Sequence, residues 1–131
     1  MVHSVQSVKL KEFNDLYEYM CFLKSQKLIK SIGISIYDLK DLNIIKKYNF
    51  DYIQVPLNLF NQTFNKKNTQ NLRKRGTKFI ARSVLFQGLI FNDNYIKLKN
   101  ITLNNKIKVI KKNLYKKEIN FIKFCLNFIK L

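Results

Sequence analysis

The chain has 131 residues, of which 47% are hydrophobic, with only three glycines and one proline, enough apolar material for one hydrophobic core. This composition excludes a disordered tail. The most apolar stretch, residues 119–131, is interrupted by polar side chains and falls short of the roughly 20 residues that a membrane-spanning helix needs.

The formal net charge of +17 is concentrated in the second part of the chain. Residues 1–51 contain eight Lys or Arg against six Asp or Glu, and residues 52–131 contain seventeen against two. Such a surface attracts nucleic acid or anionic lipid. Only Arg73, Arg75 and Arg82 are arginines, however, and base and phosphate recognition favour arginine. We interpret the lysines as a solvated surface with no specific nucleic-acid partner. The alternative function is a small basic protein that binds nucleic acid or an anionic surface.

The two cysteines, Cys21 and Cys125, lie outside any metal-ligand spacing. Free buried thiols are the preferred interpretation, and they suit a reducing compartment. Residues 1–10 lack the basic start and apolar run of a signal peptide. The sequence therefore predicts a soluble, cytoplasmic protein without a metal site or a membrane partner.

The first elements in chain order are the end of a strand at residues 1–5, a helix, and a strand at residues 29–36. The helix is predicted from apolar residues at i, i+3, i+4 and i+7 spacing, which place its buried face on Phe13, Leu16, Tyr17, Met20, Leu23 and Leu28. Gly33 lies within the strand at residues 29–36. A glycine there indicates close approach of another backbone or of a ligand.

Two further helices are marked by their ends. Asp38 is predicted to cap a helix that runs to about residue 48, with Asp41 in a capping-box position. A short helix is predicted at residues 68–75, with a basic last turn and Gly76 as the residue that ends it.

Two further strands lie between and after these helices. One begins near Asp51 and ends at Pro56, which has no amide to donate, and the other covers residues 77–83. A loop at residues 84–90 and helices at about residues 103–115 and 117–131 follow. The alternation predicts an α/β protein with parallel strands.

Polar residues close the predicted strands. Ser35, Gln54 and Ser83 lie at strand ends, and His3, the single histidine, closes the strand at residues 1–5. Functional groups of α/β proteins collect at the carboxyl ends of the strands. We therefore expect these side chains at one edge of the sheet.

Three motifs, at residues 29–35, 51–60 and 81–90, resemble the aldo/keto reductase family. Members of this family are (β/α)8 TIM barrels that use NADPH or NADH to interconvert carbonyls and alcohols. The resemblance runs from His3 to the final helix. It implies a partial barrel, from the end of strand four to strand seven with their helices, as one incomplete domain of residues 1–131.

The resemblance assigns roles to single residues. His3 matches the histidine that polarises the substrate carbonyl together with a tyrosine acid. Ser35 and Gln54 match the pair that holds the nicotinamide carboxamide, which needs such donor and acceptor side chains. Ile36 replaces an asparagine that often assists them.

A second group of matches concerns the end of the third motif. Ser83, Leu85 and Gly88 match the loop that wraps the cofactor diphosphate. Arg82 replaces an aromatic ring that stacks on the nicotinamide, and its guanidinium plane is able to stack in the same way. Asn58 matches a structural asparagine.

The catalytic Asp, Tyr and Lys of the family belong to strands that residues 1–131 do not include. The resemblance therefore implies an NAD(P)H-dependent oxidoreductase for an aldehyde, ketone or sugar carbonyl, inactive as a fragment and missing an N-terminal half as partner. The amino-acid sequences at residues 35–37 and 82–88 resemble those of a bacterial subgroup that is associated with surface-sugar biosynthesis.

Overall fold

The computed structural model describes residues 1–86, 88 and 101–129. The described elements are a 3-10 helix (Val5–Lys9), helices α1 (Phe13–Ser25), α2 (Lys40–Ile45), α3 (Lys66–Lys74), α4 (Ile101–Tyr115) and α5 (Phe121–Ile129), and strands β1 (Gly33–Ser35), β2 (Tyr52–Pro56) and β3 (Lys78–Arg82). The chain divides into two compact units. The first comprises Met1–Pro56 with Thr63–Arg82, and the second comprises Leu57–Gln62 with Ser83–Leu131.

The three strands form a parallel sheet in the order β1, β2, β3, which confirms the predicted α/β class and strand order. In register, Ser35 lies beside Gln54, and Pro56 lies beside Arg82. Pro56 closes β2, in agreement with the expectation that a residue without an amide ends the strand.

The predicted strand at residues 1–5 is reduced to one parallel bridge between Val2 and Ile34. The Val2 amide donates to the Gly33 carbonyl at 2.7 Å, and the Ser35 amide donates to the Val2 carbonyl at 2.9 Å. Val5 already begins the 3-10 helix, because the Ser4 hydroxyl accepts from the Gln6 amide and caps it.

The sheet has two unlike faces because successive side chains alternate. Ile34, Ile53 and Val55 are at most 1% exposed and pack in the core of the first unit together with residues of α1, α2 and α3. Gln54 and Arg82 belong by alternation to the opposite face and are only half-buried. The face with Ile34 and Ile53 is therefore fully covered, whereas the opposite face is buried at β1 and only partly covered at β2 and β3.

Helix α1 ends before Leu28, the last residue of its predicted buried face, and the predicted burial of two residues is wrong. Leu16 is 47% exposed, and Leu28, beyond the end of the helix at Ser25, is 71% exposed. The buried edge of α1 is Phe13, where an aromatic contact with Tyr48 at 5.2 Å between ring centroids anchors the helix. The apolar spacing predicted the helix correctly, but it assigned more residues to the buried face than the structure buries.

The start of α2 also differs from the prediction. The helix begins at Lys40 after Leu39 rather than directly after Asp38. The Asp41 carboxylate nevertheless accepts from the Tyr37 and Asp38 amides, both at 3.0 Å. Asp41 therefore makes the side-chain contact to preceding amides that is expected of a residue in the capping-box position. The Asp38 carboxylate accepts from the Lys40 amide at 3.3 Å.

Helix α3 begins earlier than predicted, because the Asn65 side chain caps it by accepting from the Asn68 amide at 3.0 Å. Its predicted end is confirmed. Gly76 has φ +89°, and the Thr77 amide donates back to the Leu72 carbonyl. This is a left-handed helix end that glycine adopts without steric cost.

In the second unit, α4 and α5 correspond to the two predicted C-terminal helices, with Ile107, Leu114 and Cys125 buried. Helix α5 begins at Phe121 rather than near residue 117. A turn separates the helices, in which Glu118 takes φ +57°. Much of the predicted loop at residues 84–90 lies outside the described residues. None of the described helices is long and apolar enough to cross a membrane.

Candidate functional site

Ser35 and Gln54 form a hydrogen-bonded pair at the carboxyl end of the sheet. The Ser35 hydroxyl donates to Gln54 Oε1 at 3.3 Å, and Ser35 is only 3% exposed. The two residues are brought together because β1 and β2 are parallel and in register at this position. The structure thus brings together the two residues that the sequence predicted to share one site.

The remaining hydrogen-bonding groups of this pair match an amide. Since Ser35 uses its proton on Gln54, its oxygen keeps a lone pair free to accept. No described residue accepts from Gln54 Nε2, so its hydrogens are available to donate. One acceptor beside one donor is the complement of a carboxamide group, whose NH2 donates and whose oxygen accepts.

Ile36, at the position where the family often has asparagine, cannot join this pair. Its side chain is fully buried in the core, on the helix-covered face of the sheet. Only the Ile36 backbone reaches β2, through an amide that donates to the Gln54 carbonyl at 2.9 Å. The apolar residue stabilises the core instead of binding a ligand.

Arg82 lies at the carboxyl end of β3, and its guanidinium carbon lies 3.8 Å from the ring centroid of Tyr37. Tyr37 follows the end of β1, so the arginine side chain reaches across the end of β2, the strand between them. Stacking on an aromatic face holds the guanidinium plane in place. The sequence did not predict this contact, whose one signal was an aromatic residue two positions after Ser35, and the predicted stacking of Arg82 on a nicotinamide ring stays a prediction.

His3 lies directly after the Val2–Ile34 bridge and is exposed. Continuing the parallel register by one residue brings the His3 backbone beside Ser35. The backbone of His3, the predicted catalytic residue, therefore lies at the same edge of the sheet as the Ser35–Gln54 pair. Its role in catalysis stays a prediction.

In the second unit, a turn at Ser83 carries the predicted diphosphate loop. Ser83 has φ +57°, and the Phe86 amide donates to the Ser83 carbonyl at 3.1 Å. The Gly88 amide donates to the Leu85 carbonyl at 3.0 Å, and Gly88 has φ +82°. Among the described residues, no backbone hydrogen bond from the Val84 or Leu85 amide is found, and consecutive free amides are able to bind an anion.

Asn58 holds this turn in place. Its Nδ2 donates to the Ser83 carbonyl at 3.2 Å, while its Oδ1 accepts from the amides of Phe60 and Asn61 at 3.0 and 2.9 Å. Asn58 is 8% exposed. These contacts agree with the structural role that was predicted for it.

The other two arginines have structural partners. Arg73 donates to the Thr69 hydroxyl at 2.9 Å and lies over the Phe79 ring, and Arg75 donates to the Lys46 carbonyl at 3.4 Å. In the part of the chain that the structure describes, no group of three His, Cys, Asp or Glu side chains is arranged to hold a metal ion.

A sequence model of the Aldo/keto reductase family matches residues 4–124. The match includes both strand ends of the Ser35–Gln54 pair and the turn at Ser83, and it begins one residue after His3. No curated protein and no solved structure matches the chain. Because the family match covers far more than half of the sequence and the sheet has the parallel α/β arrangement of a partial barrel, the chain belongs to the aldo/keto reductase family.

Proposed function

We propose that this chain forms the nicotinamide side of an NAD(P)H-dependent oxidoreductase that reduces an aldehyde, ketone or sugar carbonyl. The observation that supports the proposal best is the Ser35–Gln54 hydrogen bond, which leaves one acceptor on Ser35 and one donor on Gln54, the two kinds of group that a carboxamide needs. Family membership supports oxidoreductase chemistry on carbonyl compounds. The resemblance of the motifs to a subgroup of surface-sugar biosynthesis favours a sugar-derived carbonyl.

The nicotinamide cofactor supplies the hydride when it is bound. Ser35 and Gln54 orient its ring by holding the carboxamide, because a rotated ring presents the wrong atom to the substrate. The family resemblance assigns the cofactor diphosphate to the Ser83 turn, where the Leu85 amide would donate to it and Gly88, with its own amide bonded to the Leu85 carbonyl, would shape the loop. His3 donates a hydrogen bond to the substrate oxygen and polarises the carbonyl.

A general acid must also protonate the oxygen that receives negative charge, and the family uses a tyrosine for this step. Neither described tyrosine near the sheet suits the role. The Tyr37 ring is covered by the Arg82 guanidinium, and Tyr52 lies at the amino end of β2 with Lys78 over its ring at 5.8 Å. Tyr95, a third candidate, lies outside the described residues.

We therefore propose that residues 1–131 are inactive by themselves and that a segment with the first three strands supplies the acid. This segment is either another part of the same polypeptide or a separate chain. Edge strands and a partly exposed sheet face also make the isolated chain prone to association.

The test is complementation. A matching first segment from the family is added to residues 1–131, with NADPH and a simple aldehyde, and cofactor oxidation is measured. We expect turnover only with both parts present, and we expect His3→Ala to abolish it, whereas Lys11→Ala, an exposed change nearby, leaves it unchanged. Turnover by residues 1–131 alone that depends on His3 contradicts the incomplete-site proposal, and no turnover in any folded combination contradicts the enzymatic one.

A basic binding protein remains the alternative, but no described contact favours it. The basic last turn of α3 is explained by its structural partners. Tight retention on heparin with a steep dependence on salt concentration is the result that this alternative predicts.

A further inference from the structure

The Arg82 guanidinium has an unsatisfied edge. Its Nε and Nη2 atoms are buried, and neither has a hydrogen-bond partner among the described residues. Arginine cannot lose its charge, and buried donors of a charged group are rarely left unpaired. Nε and Nη2 lie along one edge of the planar group, so their two hydrogens form a fork that fits the two oxygens of one anion.

Acidic side chains of the neighbouring segment do not compensate this charge. The Asp41 carboxylate accepts from the amides of Tyr37 and Asp38, and the Asp38 carboxylate pairs with Lys40 at 3.5 Å. The Tyr37 ring covers one face of the guanidinium but offers nothing to the edge, because a ring face attracts the cation as a whole. Among the described residues, the edge therefore has no acceptor of its own.

We propose that the Nε–Nη2 edge of Arg82 binds a carboxylate or phosphate oxyanion of a small-molecule ligand. By register, Arg82 lies two residues beyond the level of Gln54, on the same face of the sheet and toward its carboxyl end. The anion is thus bound beyond the Ser35–Gln54 pair in that direction. This proposal does not depend on the proposed reduction, since it rests on the unpaired donors of Arg82 and not on hydride transfer. If the anion belongs to the substrate, the substrate is an acidic carbonyl compound.

The experiment follows binding to the 131-residue chain at constant ionic strength, by calorimetry and by the NMR signal of the Arg82 Nε–H. Pyruvate is the carboxylate probe, pyrophosphate is the phosphate probe, and acetone is the uncharged control. We expect saturable binding of at least one anion, a shift of the Nε–H signal on binding, and no binding of acetone. Pyruvate binding indicates the substrate as the source, and binding of pyrophosphate alone indicates the cofactor diphosphate. Both results support the proposal.

Variants test which group binds. Arg82→Gln is expected to weaken anion binding about tenfold or more, and Arg82→Lys to weaken it less, because lysine keeps the charge but loses the fork. Arg75→Gln removes the same charge from an exposed position and is expected to change the affinity less than about twofold. Equal losses in Arg75→Gln and Arg82→Gln overturn the proposal. The proposal is also overturned if the unmodified chain binds neither anion, or if its Nε–H signal does not shift at saturation. Both of these results are obtained without a variant, so they do not depend on whether a variant folds.

Discussion

Ser35 Oγ lies 3.3 Å from Gln54 Oε1, and the two residues are register partners on adjacent parallel strands. The hydrogen bond therefore joins two strand ends, and it leaves the Ser35 oxygen as an acceptor and Gln54 Nε2 as a donor. A serine or a glutamine alone at a strand end is common. Their mutual orientation is what makes this edge of the sheet complementary to an amide.

The first prediction concerns pH and Asp51. Burial raises the pKa of this carboxyl, but hydrogen bonds from Lys24 Nζ at 2.6 and 2.7 Å and from the Ile32 amide at 2.8 Å outweigh it and hold the pKa below its ordinary value of 3.8. Because the pKa is lower in the folded than in the unfolded chain, the stabilisation is present above about pH 4 and is lost as the pH falls through the folded value.

Asp51→Asn is expected to lower the unfolding temperature at neutral pH and to reduce the further loss below about pH 4. Thermal unfolding followed by circular dichroism between neutral and acidic pH measures both effects. Asp15→Asn, on an exposed position of α1, is the control. An unchanged pH profile in Asp51→Asn contradicts the assignment.

The second prediction concerns Gly33. A Cβ atom at this position meets the Tyr52 carbonyl oxygen at 3.0 Å and Tyr52 Cβ at 3.2 Å. Gly33→Ala therefore forces β1 away from β2 and is expected to cost about 1–3 kcal/mol of unfolding free energy. Urea denaturation measures this cost, with Ser31→Ala as the control. An equal midpoint for both variants shows that the strands do not need the close approach.

The third prediction concerns Asn58. Asn58→Ala removes three hydrogen bonds and is expected to cost about 1–3 kcal/mol, because the Ser83 carbonyl and two amides lose a partner. Asn58→Asp keeps the oxygen that accepts from the two amides, but it replaces the Nδ2 donor with a carboxylate oxygen, which repels the Ser83 carbonyl oxygen. A protonated carboxyl can donate there, so this variant should recover stability relative to the unmodified chain as the pH is lowered. Equal losses for both variants at every pH contradict this role.

The fourth prediction concerns the cysteines. Burial raises the pKa of the Cys125 thiol, and Cys125 is 1% exposed, whereas Cys21 is half-buried. A thiol reagent should modify Cys21 first and reach Cys125 only slowly in the folded chain. Cys21→Ser should remove the fast phase and Cys125→Ser should leave it intact. Equal rates for the two thiols contradict the burial of Cys125.

The strands and their order were predictable from the sequence because each carries β-branched residues and closes on a polar residue. The same pattern, with the family motifs, predicted that Ser35 and Gln54 lie together, which the structure confirms, whereas their role in binding a cofactor stays a prediction. The prediction of close approach at Gly33 was confirmed, and its cause is the Tyr52 backbone.

Other features depend on tertiary contacts that a single sequence does not contain. Leu16 has the spacing of a core residue, yet it is exposed, whereas Phe13 is buried in the core and Tyr17, Met20 and Cys21 pack against it. The stacking of Arg82 on Tyr37 joins residues far apart in the chain and appears only when β1 and β3 flank β2. That Arg82 Nε and Nη2 are buried without a hydrogen-bond partner among the described residues is visible only in the structure, because a sequence does not show which atoms are buried.

The central claim is that Ser35 and Gln54 hold the nicotinamide carboxamide. Its most direct test compares the affinity of the reduced cofactor with that of an analogue in which an acetyl group replaces the carboxamide. The acetyl group keeps the oxygen that accepts from Gln54 but lacks the NH2 that donates to Ser35. We predict that the unmodified chain prefers the carboxamide about threefold to tenfold and that Ser35→Ala removes this preference. Gln54→Leu should weaken both ligands alike, and the exposed control Gln70→Leu should weaken neither. A preference that survives in Ser35→Ala, or that is missing from the unmodified chain, contradicts the claim.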